Sequence, residues 1–276
     1  MRHDEGTFKG AGGLELYAQR WRPDGEPKAV LAIVHGFGEH SGRYPNIVSR
    51  LVPKGYAVYG FDHRGHGRSP GQRGYINRWE EFRQDVHQFL EWVRAQEPNP
   101  PLFLMGHSMG GLIVLEYALH EPEGLRGVIA SAPLLAQAGI SPILFTLSRL
   151  MSRIWPTLSM NTKLDASTIS RDPAVVQAYV SDPLVHSLGT PRLATEITAA
   201  VAWTHAHAGE LRVPLLLFYG SADRLVPPEG SRAFFDHVTL ADKERHEYEG
   251  YFHETHNDVG WERPVSDLED WLERHL

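Results

Sequence analysis

The 276-residue sequence contains no cysteine, and this absence excludes several kinds of chemistry. A disulfide scaffold, a thiol nucleophile and a cysteine-ligated zinc or iron–sulfur site all need that residue. Basic residues are also scarce, since 27 Lys and Arg face 34 Asp and Glu, for a formal net charge of −7. Nucleic-acid-binding proteins normally carry a basic face, so we expect no nucleic-acid partner.

The sequence also lacks a long uninterrupted apolar run. Residues 1–13 are polar and Gly-rich, with no apolar core for a signal peptide. Residues 134–160 form the most apolar stretch, but they carry Arg149 and Arg153 and are broken by two prolines. A transmembrane helix needs about 20 largely apolar residues. We therefore expect a soluble, cytoplasmic protein.

Short apolar runs alternate with longer amphipathic segments, which predicts an α/β protein with a mostly parallel sheet flanked by helices. Several runs are apolar at nearly every position, as expected of strands covered on both faces. A more polar segment, 8–22, predicts an antiparallel edge hairpin. The predicted central strands are 29–34, 57–61, 102–105, 127–130 and 215–219, and the predicted helices include 79–95, 110–120 and 264–276.

About eighty residues separate the strand that ends near Ser131 from the strand that begins at Leu215. Their patterns are mainly helical and are interrupted by turn signals at glycine and proline. We interpret approximately 134–208 as a helical cap inserted over the sheet. The alternative is that this segment is further scaffold. The sequence thus predicts a single domain over 1–276 that includes this cap.

The segment Gly106-His-Ser-Met-Gly110 follows a predicted strand and opens a predicted helix. This is the context in which a G-x-S-x-G turn presents a nucleophilic serine, because the glycines permit a sharp, strained turn. Ser108 is therefore the predicted nucleophile. The backbone N–H of Met109 is a predicted oxyanion donor.

A second match, Gly67-Arg-Ser-Pro-Gly71, serves as an internal control. Here the residue after the serine is Pro70, which has no N–H to donate, and no helical pattern follows. We interpret Ser69 as a loop serine. Ser131 has no glycine turn around it, and we interpret it as part of the wall of the proposed site.

The base and its orienting acid are predicted from their order along the chain, which in this type of sheet is serine, acid, histidine. Asp223 lies in the loop after the strand 215–219, and His253 follows a short predicted strand near 246–248. Asp223 would hold the tautomer of His253 while the imidazole accepts the Ser108 proton. His35-Gly36-Phe37-Gly38 follows the first strong strand, so we assign the second oxyanion donor to the Phe37 N–H.

Sixteen histidines leave other bases open. His256 is the closest rival and otherwise belongs to the pocket rim, while His107 is interpreted as orienting the serine turn. Asp258 and Asp236 are weaker acids, and Asp62 is interpreted as a loop-bracing carboxylate. Metal sites from His63 with His66, or from His205 with His207, lack supporting partners, so no metal is predicted.

The stretch from His35 to Tyr44, His-Gly-Phe-Gly-Glu-His-Ser-Gly-Arg-Tyr, resembles the signature of monoacylglycerol lipases, a group of α/β-hydrolases related to lysophospholipases. Segments beginning at Asp62, Gly106, Ser181 and Gly220 agree with it, so the resemblance covers nearly the whole chain. It implies the triad Ser108, Asp223 and His253, the donors Phe37 and Met109, and no cofactor.

The resemblance also implies a lipid ester as substrate, with its glycerol end held by polar side chains. By position these are Glu39, Arg43, Tyr179 and His256. The alternative for Glu39 and Arg43 is a loop-bracing ion pair, and for Tyr179 a packing aromatic. The sequence departs from some relatives in having no cysteine.

A fatty chain needs a long apolar tunnel, because each buried CH₂ contributes about 0.8 kcal/mol. Apolar cap residues at helical spacing are candidates for the lining of this tunnel. A helix face buried in the protein core would show the same spacing. The low charge of 134–160 favours the tunnel and predicts transient contact of the cap with a membrane interface. The candidates are Ile140, Leu144, Leu147, Leu150, Met151 and Ile154.

The function predicted from the sequence is hydrolysis of monoacylglycerol to glycerol and fatty acid through an acyl-serine intermediate. Three alternatives stay open. The first is a lysophospholipase or general carboxylesterase with the same triad. The second keeps the fold but performs amidase or perhydrolase chemistry, and the third is an inactive hydrolase fold that serves as a binding module.

Overall fold

A sheet of eight strands forms the centre of the fold. The structure is a computed structural model that describes residues 1–136 and 142–276, with the backbone alone for 142–145. The strands lie in the order β1-β2-β4-β3-β5-β6-β9-β10. Their bounds are β1 Arg2–Lys9, β2 Glu15–Arg22, β3 Ala29–Val34, β4 Tyr56–Phe61, β5 Leu102–His107, β6 Gly127–Ser131, β9 Leu215–Gly220 and β10 Lys243–Tyr248.

The central strands are parallel and buried along their whole length, as the continuous apolar runs predicted. All five predicted central strands are present, and four of them extend one or two residues beyond the predicted bounds. The predicted fold class, a mostly parallel sheet flanked by helices, is confirmed.

Helices cover both faces of the sheet and divide the core into two apolar layers. Side chains of α1 and α8 pack on one face, and those of α2, α3 and α7 pack on the other. The bounds of these helices are α1 Pro45–Leu51, α2 Glu80–Gln96, α3 Met109–His120, α7 Pro228–His237 and α8 Glu262–Arg274.

The edge hairpin is longer than predicted, because β1 begins at Arg2 and not near Phe8. The first residues of β1 are polar and mostly exposed, since the strand lies at the edge of the sheet. An apolar pattern therefore cannot mark the start of this strand. The hairpin turns at Gly12 and Gly13, and both glycines have positive φ.

The segment between β6 and β9 contains α4 Pro142–Ile154, α5 Pro173–Ser181 and α6 Pro191–Ala206. It also contains a two-stranded antiparallel sheet of β7 Met160–Asn161 and β8 Leu188–Gly189, which the sequence analysis did not anticipate. Such short strands leave too few residues for an alternating pattern. The boundaries of the predicted cap, 134–208, stay a prediction.

Within the described ranges, no helix combines the length and apolar character that crossing a bilayer requires.

Close backbone contact fixes where α3 starts. A Cβ atom on Gly110 would lie 2.1 Å from the carbonyl oxygen of Val34, at the end of β3. A Cβ atom on Gly106 would lie 2.1 Å from the carbonyl oxygen of Gly110. Glycine at these two positions therefore allows strand, turn and helix to pack together.

Replacing Gly110 with alanine should destabilise the protein by about 3 kcal/mol or more, because backbone must move to accommodate the methyl group. The free energy of unfolding in urea measures this change. Gly209→Ala is the matched control, since its Cβ would meet neighbours at an ordinary 3.5 Å. Equal stability of the two variants would contradict the packing argument.

Candidate active site

Ser108 lies on the turn between β5 and α3 with φ 56° and ψ −118°. Positive φ is rare for a residue with a side chain and marks a strained position. The Ser108 N–H donates to the carbonyl oxygen of Ser131 at 2.9 Å. The Ser108 carbonyl oxygen accepts the N–H groups of Leu112 at 3.1 Å and Leu134 at 2.9 Å. These bonds hold the strained turn.

Met109 is the first residue of α3. The first N–H groups of a helix have no acceptor within the helix, so the Met109 N–H is available to an oxygen atom outside it. Phe37 and Ser108 line the same cavity. The structure thus places both predicted oxyanion residues beside the serine turn.

His253 and Asp223 are brought together as the sequence predicted. His253 Nδ1 lies 2.6 Å from Asp223 Oδ2 and donates to it, which leaves Nε2 free to accept a proton. Asp223 Oδ1 accepts the N–H groups of Leu225 at 2.8 Å and Val226 at 3.0 Å, so the carboxylate is fixed. Both partners are buried, and the His253 ring opens onto the cavity that Ser108 lines.

Burial opposes a charge on His253, but the charge of Asp223 and its hydrogen bond outweigh burial and raise the pKa of the imidazole. The two histidines beside it behave differently. Burial lowers the pKa of His107 well below its usual range and lowers that of His256 to about 4. At neutral pH, His107 and His256 are therefore uncharged neighbours of the base.

His256 does not lie on the pocket rim, which corrects the position expected from its sequence. It is 1% exposed and does not line the cavity that contains Ser108. The short 3₁₀ turn Thr255–Asn257 directs its ring inward, where it stacks on Tyr44 at 5.1 Å between ring centroids. The His256 ring therefore packs behind the cavity wall, 4.9 Å from the His107 ring between centroids, and its predicted contact with substrate stays a prediction.

Glu39 and Arg43 line the cavity, as does Tyr179 from α5. Arg43 donates to Glu39 Oε2 at 3.2 Å and to both carboxylate oxygens of Glu254 at 2.6 and 2.9 Å. The guanidinium also lies 4.6 Å from the centroid of the Tyr179 ring. The structure therefore contains the ion pair that the alternative reading of Glu39 and Arg43 required.

Glu254 is a site residue that sequence reasoning missed. Its only signal was its place directly after the predicted base. Burial disfavours its charge, but Arg43 outweighs burial and lowers the pKa of Glu254, whereas burial prevails at Glu39 and raises its pKa. Arg43 thus stabilises the charged form of Glu254 more than it stabilises that of Glu39.

The cavity has a volume of about 800 Å³ and a largely apolar wall. Of the predicted tunnel residues, Leu147 and Met151 line it. Leu150 and Ile154 do not, because they face outward from α4 and are 53% and 70% exposed. Ile140 lies outside the described residues, as does the side chain of Leu144.

Part of the apolar wall comes from residues that the sequence analysis did not select. Leu193 and Ile197 stand four residues apart on α6, the spacing that puts side chains on one helix face. Helical periodicity could have identified them, but it does not distinguish a cavity wall from a core. The other apolar lining residues that the sequence did not single out are Leu134, Met160, Leu164, Ile169, Pro191, Ala194, Leu225 and Val226.

The residues set aside in the sequence have structural roles. Ser69 Oγ donates to the carbonyl oxygen of Asp62 at 2.6 Å and accepts the Tyr17 N–H at 2.9 Å. Asp62 accepts the N–H groups of Ser41 and Arg68, both at 2.8 Å. Ser131, expected in the cavity wall, is fully buried behind the serine turn.

Known proteins resemble this chain over most of its length. Residues 25–260 match the hydrolase family described as serine aminopeptidase, S33. The chain belongs to this family. The predicted resemblance is confirmed, since the chain is 35% identical over 274 residues to a monoacylglycerol lipase of Mycolicibacterium smegmatis, covering 99% of this chain and 98% of that protein. It is also 34% identical to the human monoglyceride lipase, covering 90% of this chain and 83% of the human protein.

Solved structures give the same result. The monoacylglycerol lipase of Paleococcus ferrophilus has a TM-score of 0.87 and 36% identity, with 95% of this chain and 100% of that chain covered. A soluble variant of the monoglyceride lipase of Saccharomyces cerevisiae, in complex with a substrate analogue, has a TM-score of 0.88 and 25% identity, with 97% and 94% covered. These matches confirm the α/β-hydrolase fold and the expected class of enzyme, the carboxylic ester hydrolases.

The paired Asp223 and His253 lead to a prediction about pH. The imidazole must be neutral to accept a proton, so kcat/KM should fall as pH drops through a pKa that lies above the usual value of about 6.5. Asp223→Asn should lower kcat about 10⁴-fold, because the required tautomer is lost. Steady-state rates on a soluble ester across a pH series measure both effects.

Asp236→Asn is the matched control, since Asp236 is a rival acid whose side chain is 72% exposed and pairs with Arg245. A normal rate for Asp223→Asn, or an equal loss for Asp236→Asn, would contradict the assignment of the acid.

Proposed function

We propose that this protein is a serine carboxylic ester hydrolase that cleaves monoacylglycerol to glycerol and a free fatty acid. One observation carries the proposal: Ser108 and the Asp223-bound His253 open onto the same large apolar cavity. The names of the most similar relatives support the choice of substrate. A cavity of about 800 Å³ is within the range of pockets that enclose molecules of this size.

The reaction proceeds in two halves. Ser108 Oγ attacks the acyl carbon while His253 Nε2 takes the hydroxyl proton, and the N–H groups of Phe37 and Met109 bind the oxyanion. His253 then returns the proton to the departing glycerol oxygen, and an acyl-serine ester remains. Water, deprotonated by the same imidazole, attacks this ester. The fatty acid leaves and Ser108 regains its proton.

The substrate's two ends fit two chemically different parts of the cavity. Leu147, Met151 and the apolar face of α6 would surround the acyl chain, and each buried CH₂ would contribute about 0.8 kcal/mol. Glu39, Arg43 and Tyr179 stand on the polar side and would face the glycerol hydroxyls. The proposed cap, residues 134–208, supplies much of the apolar wall and also Tyr179.

The cap also carries the surface through which the enzyme would meet lipid. Several of its large apolar side chains are exposed, and clusters of exposed apolar groups are typical of interaction surfaces. We propose that this surface contacts the membrane interface transiently while the substrate enters. Its members are Leu147, Leu150, Ile154, Trp155, Met160, Val180 and Leu188.

One feature favours a second candidate, hydrolysis of lysophospholipids. Lys163 and Arg224 line the cavity and are exposed, so they could attract a phosphate group. Asp165 lines the same cavity and reduces the local positive charge. A panel of monoacylglycerol, lysophosphatidylcholine and short p-nitrophenyl esters separates the two functions, and we expect monoacylglycerol to give the highest kcat/KM.

The nucleophile is tested by labelling with a fluorophosphonate probe. Wild type should label stoichiometrically and hydrolyse monoacylglycerol, whereas Ser108→Ala should do neither, because the proposed nucleophile is removed. Ser69→Ala is the matched control and should label like wild type. Labelling of Ser108→Ala, or an unreactive wild type, would refute the proposal.

The membrane contact is tested by replacing Leu150 and Ile154 with serine. Removing two exposed apolar groups should lower kcat/KM on dispersed long-chain ester about tenfold or more, because each buried side chain of this kind contributes about 1.5–3 kcal/mol. Activity on p-nitrophenyl acetate should be nearly unchanged. Val259→Ser, which removes a 54% exposed apolar side chain outside the cap, is the control. Equal losses on both substrates would exclude this role.

A further inference from the structure

The direction of the Phe37 N–H depends on one peptide plane, the plane between Gly36 and Phe37. No cis peptide bond occurs among the described residues, so this peptide is trans. In a trans peptide the C=O and N–H groups point in opposite directions. Whatever holds the Gly36 carbonyl oxygen therefore also determines where the Phe37 N–H points.

The group that holds this oxygen is the side chain of His35. Its Nδ1 lies 2.7 Å from the Gly36 carbonyl oxygen, and only a protonated nitrogen can make that bond. Its Nε2 accepts the backbone N–H of His63 at 2.9 Å, so this second nitrogen carries no proton. The two partners together select the Nδ1–H tautomer.

The His35 ring has little freedom to leave this position. His63 Nε2 donates to the His35 carbonyl oxygen at 3.0 Å, and the two rings are 4.3 Å apart between centroids. His35 is fully buried, and burial lowers its pKa well below the usual range. The neutral tautomer that donates to Gly36 is thus the form present at neutral pH.

Adjacent contacts fix the rest of the turn. The Gly36 N–H donates to Glu39 Oε1 at 2.6 Å, which also accepts the Tyr44 hydroxyl at 2.9 Å. A Cβ atom on Gly36 would lie 3.1 Å from Ser108 Cβ, so the turn packs directly against the nucleophile. The Gly38 carbonyl oxygen accepts the His186 N–H at 2.8 Å.

We propose that His35 is a positioning residue for the oxyanion hole. By donating Nδ1–H to the Gly36 carbonyl oxygen, it turns the Phe37 N–H toward the oxygen that forms on the substrate. Without this bond the peptide can turn over and present a carbonyl oxygen to the developing negative charge. This inference rests on the proposed hydrolase function and assigns a role to a histidine that takes no part in proton transfer.

Two substitutions separate the two nitrogens of His35. The amide of asparagine can place an N–H near the position of Nδ1, whereas glutamine reaches the position of Nε2. His35→Asn should therefore keep the bond to Gly36 and lose the bond to His63, and His35→Gln should do the reverse. Each variant leaves one buried backbone group unpaired, so each is the stability control for the other.

The expected result is a difference in kcat. With p-nitrophenyl acetate, which has no glycerol and only a short acyl group, His35→Gln should lose about 10²–10³-fold in kcat with little change in KM, as for the loss of one oxyanion donor. His35→Asn should remain within about tenfold of wild type. Affinity for an alkyl trifluoromethyl ketone, which forms a tetrahedral adduct with serine, should fall in parallel with kcat.

Equal losses in the two variants, matched by equal drops in Tm, would show that His35 only fills space and would overturn the inference. An unchanged kcat for folded His35→Gln would do the same. These outcomes differ from failure of the proposed function, in which wild type itself has no Ser108-dependent activity. If both variants fail to fold, the nitrogen-15 spectrum of wild type decides, because an Nε2-protonated His35 is incompatible with the proposal.

Discussion

The strained backbone of Ser108 is the constraint on which the rest of the site depends. A residue at φ 56° is held there only if its surroundings compensate, and here both of its peptide groups are bonded to neighbouring segments. The Ser131 carbonyl oxygen ties the turn to β6, and the Leu134 N–H ties it to the start of the proposed cap. Gly106 and Gly110 remove the side chains that would separate strand from helix. Ser108, the first N–H of α3 and Leu134, where the proposed cap begins, are therefore positioned by one turn.

The parts of this arrangement that sequence could predict are those that depend on local chemistry. Glycine around Ser108 and continuous apolar strands each have a local physical cause. The Asp223–His253 pair was predicted from the order of triad residues in this type of sheet, and the contact is present. His256 was misplaced because its orientation is set by a 3₁₀ turn and by stacking on Tyr44, which is distant in sequence. The outward direction of Leu150 and Ile154 could not be predicted either. Helical periodicity shows which side chains share a face of the helix, but it does not show whether that face is buried or exposed. The partnership of Arg43 with Glu254 joins residues 211 positions apart, beyond the reach of local patterns.

Four buried histidines near the site are uncharged at neutral pH. His35, His63, His66 and His107 are buried, and burial lowers the pKa of each well below its usual range, so they act as neutral donors, acceptors and packing surfaces. His253 differs because a carboxylate faces it, and its pKa is raised. Among these five histidines, His253 alone has a raised pKa, and it is the proposed base. A sequence with many histidines near a nucleophile does not imply many bases.

The hydrogen bond from the His186 N–H to the Gly38 carbonyl oxygen joins the segment between α5 and β8 to the turn that carries Phe37. His40 adds a second link, since its Nε2 lies 2.9 Å from Asp182 Oδ2. These two contacts consequently connect the proposed acyl pocket to the turn that carries the proposed oxyanion donor Phe37. A chimaera that receives the cap of another hydrolase would inherit a new acyl pocket, but it would keep the original rate only if the grafted loop met Gly38 and His40 at the same two points.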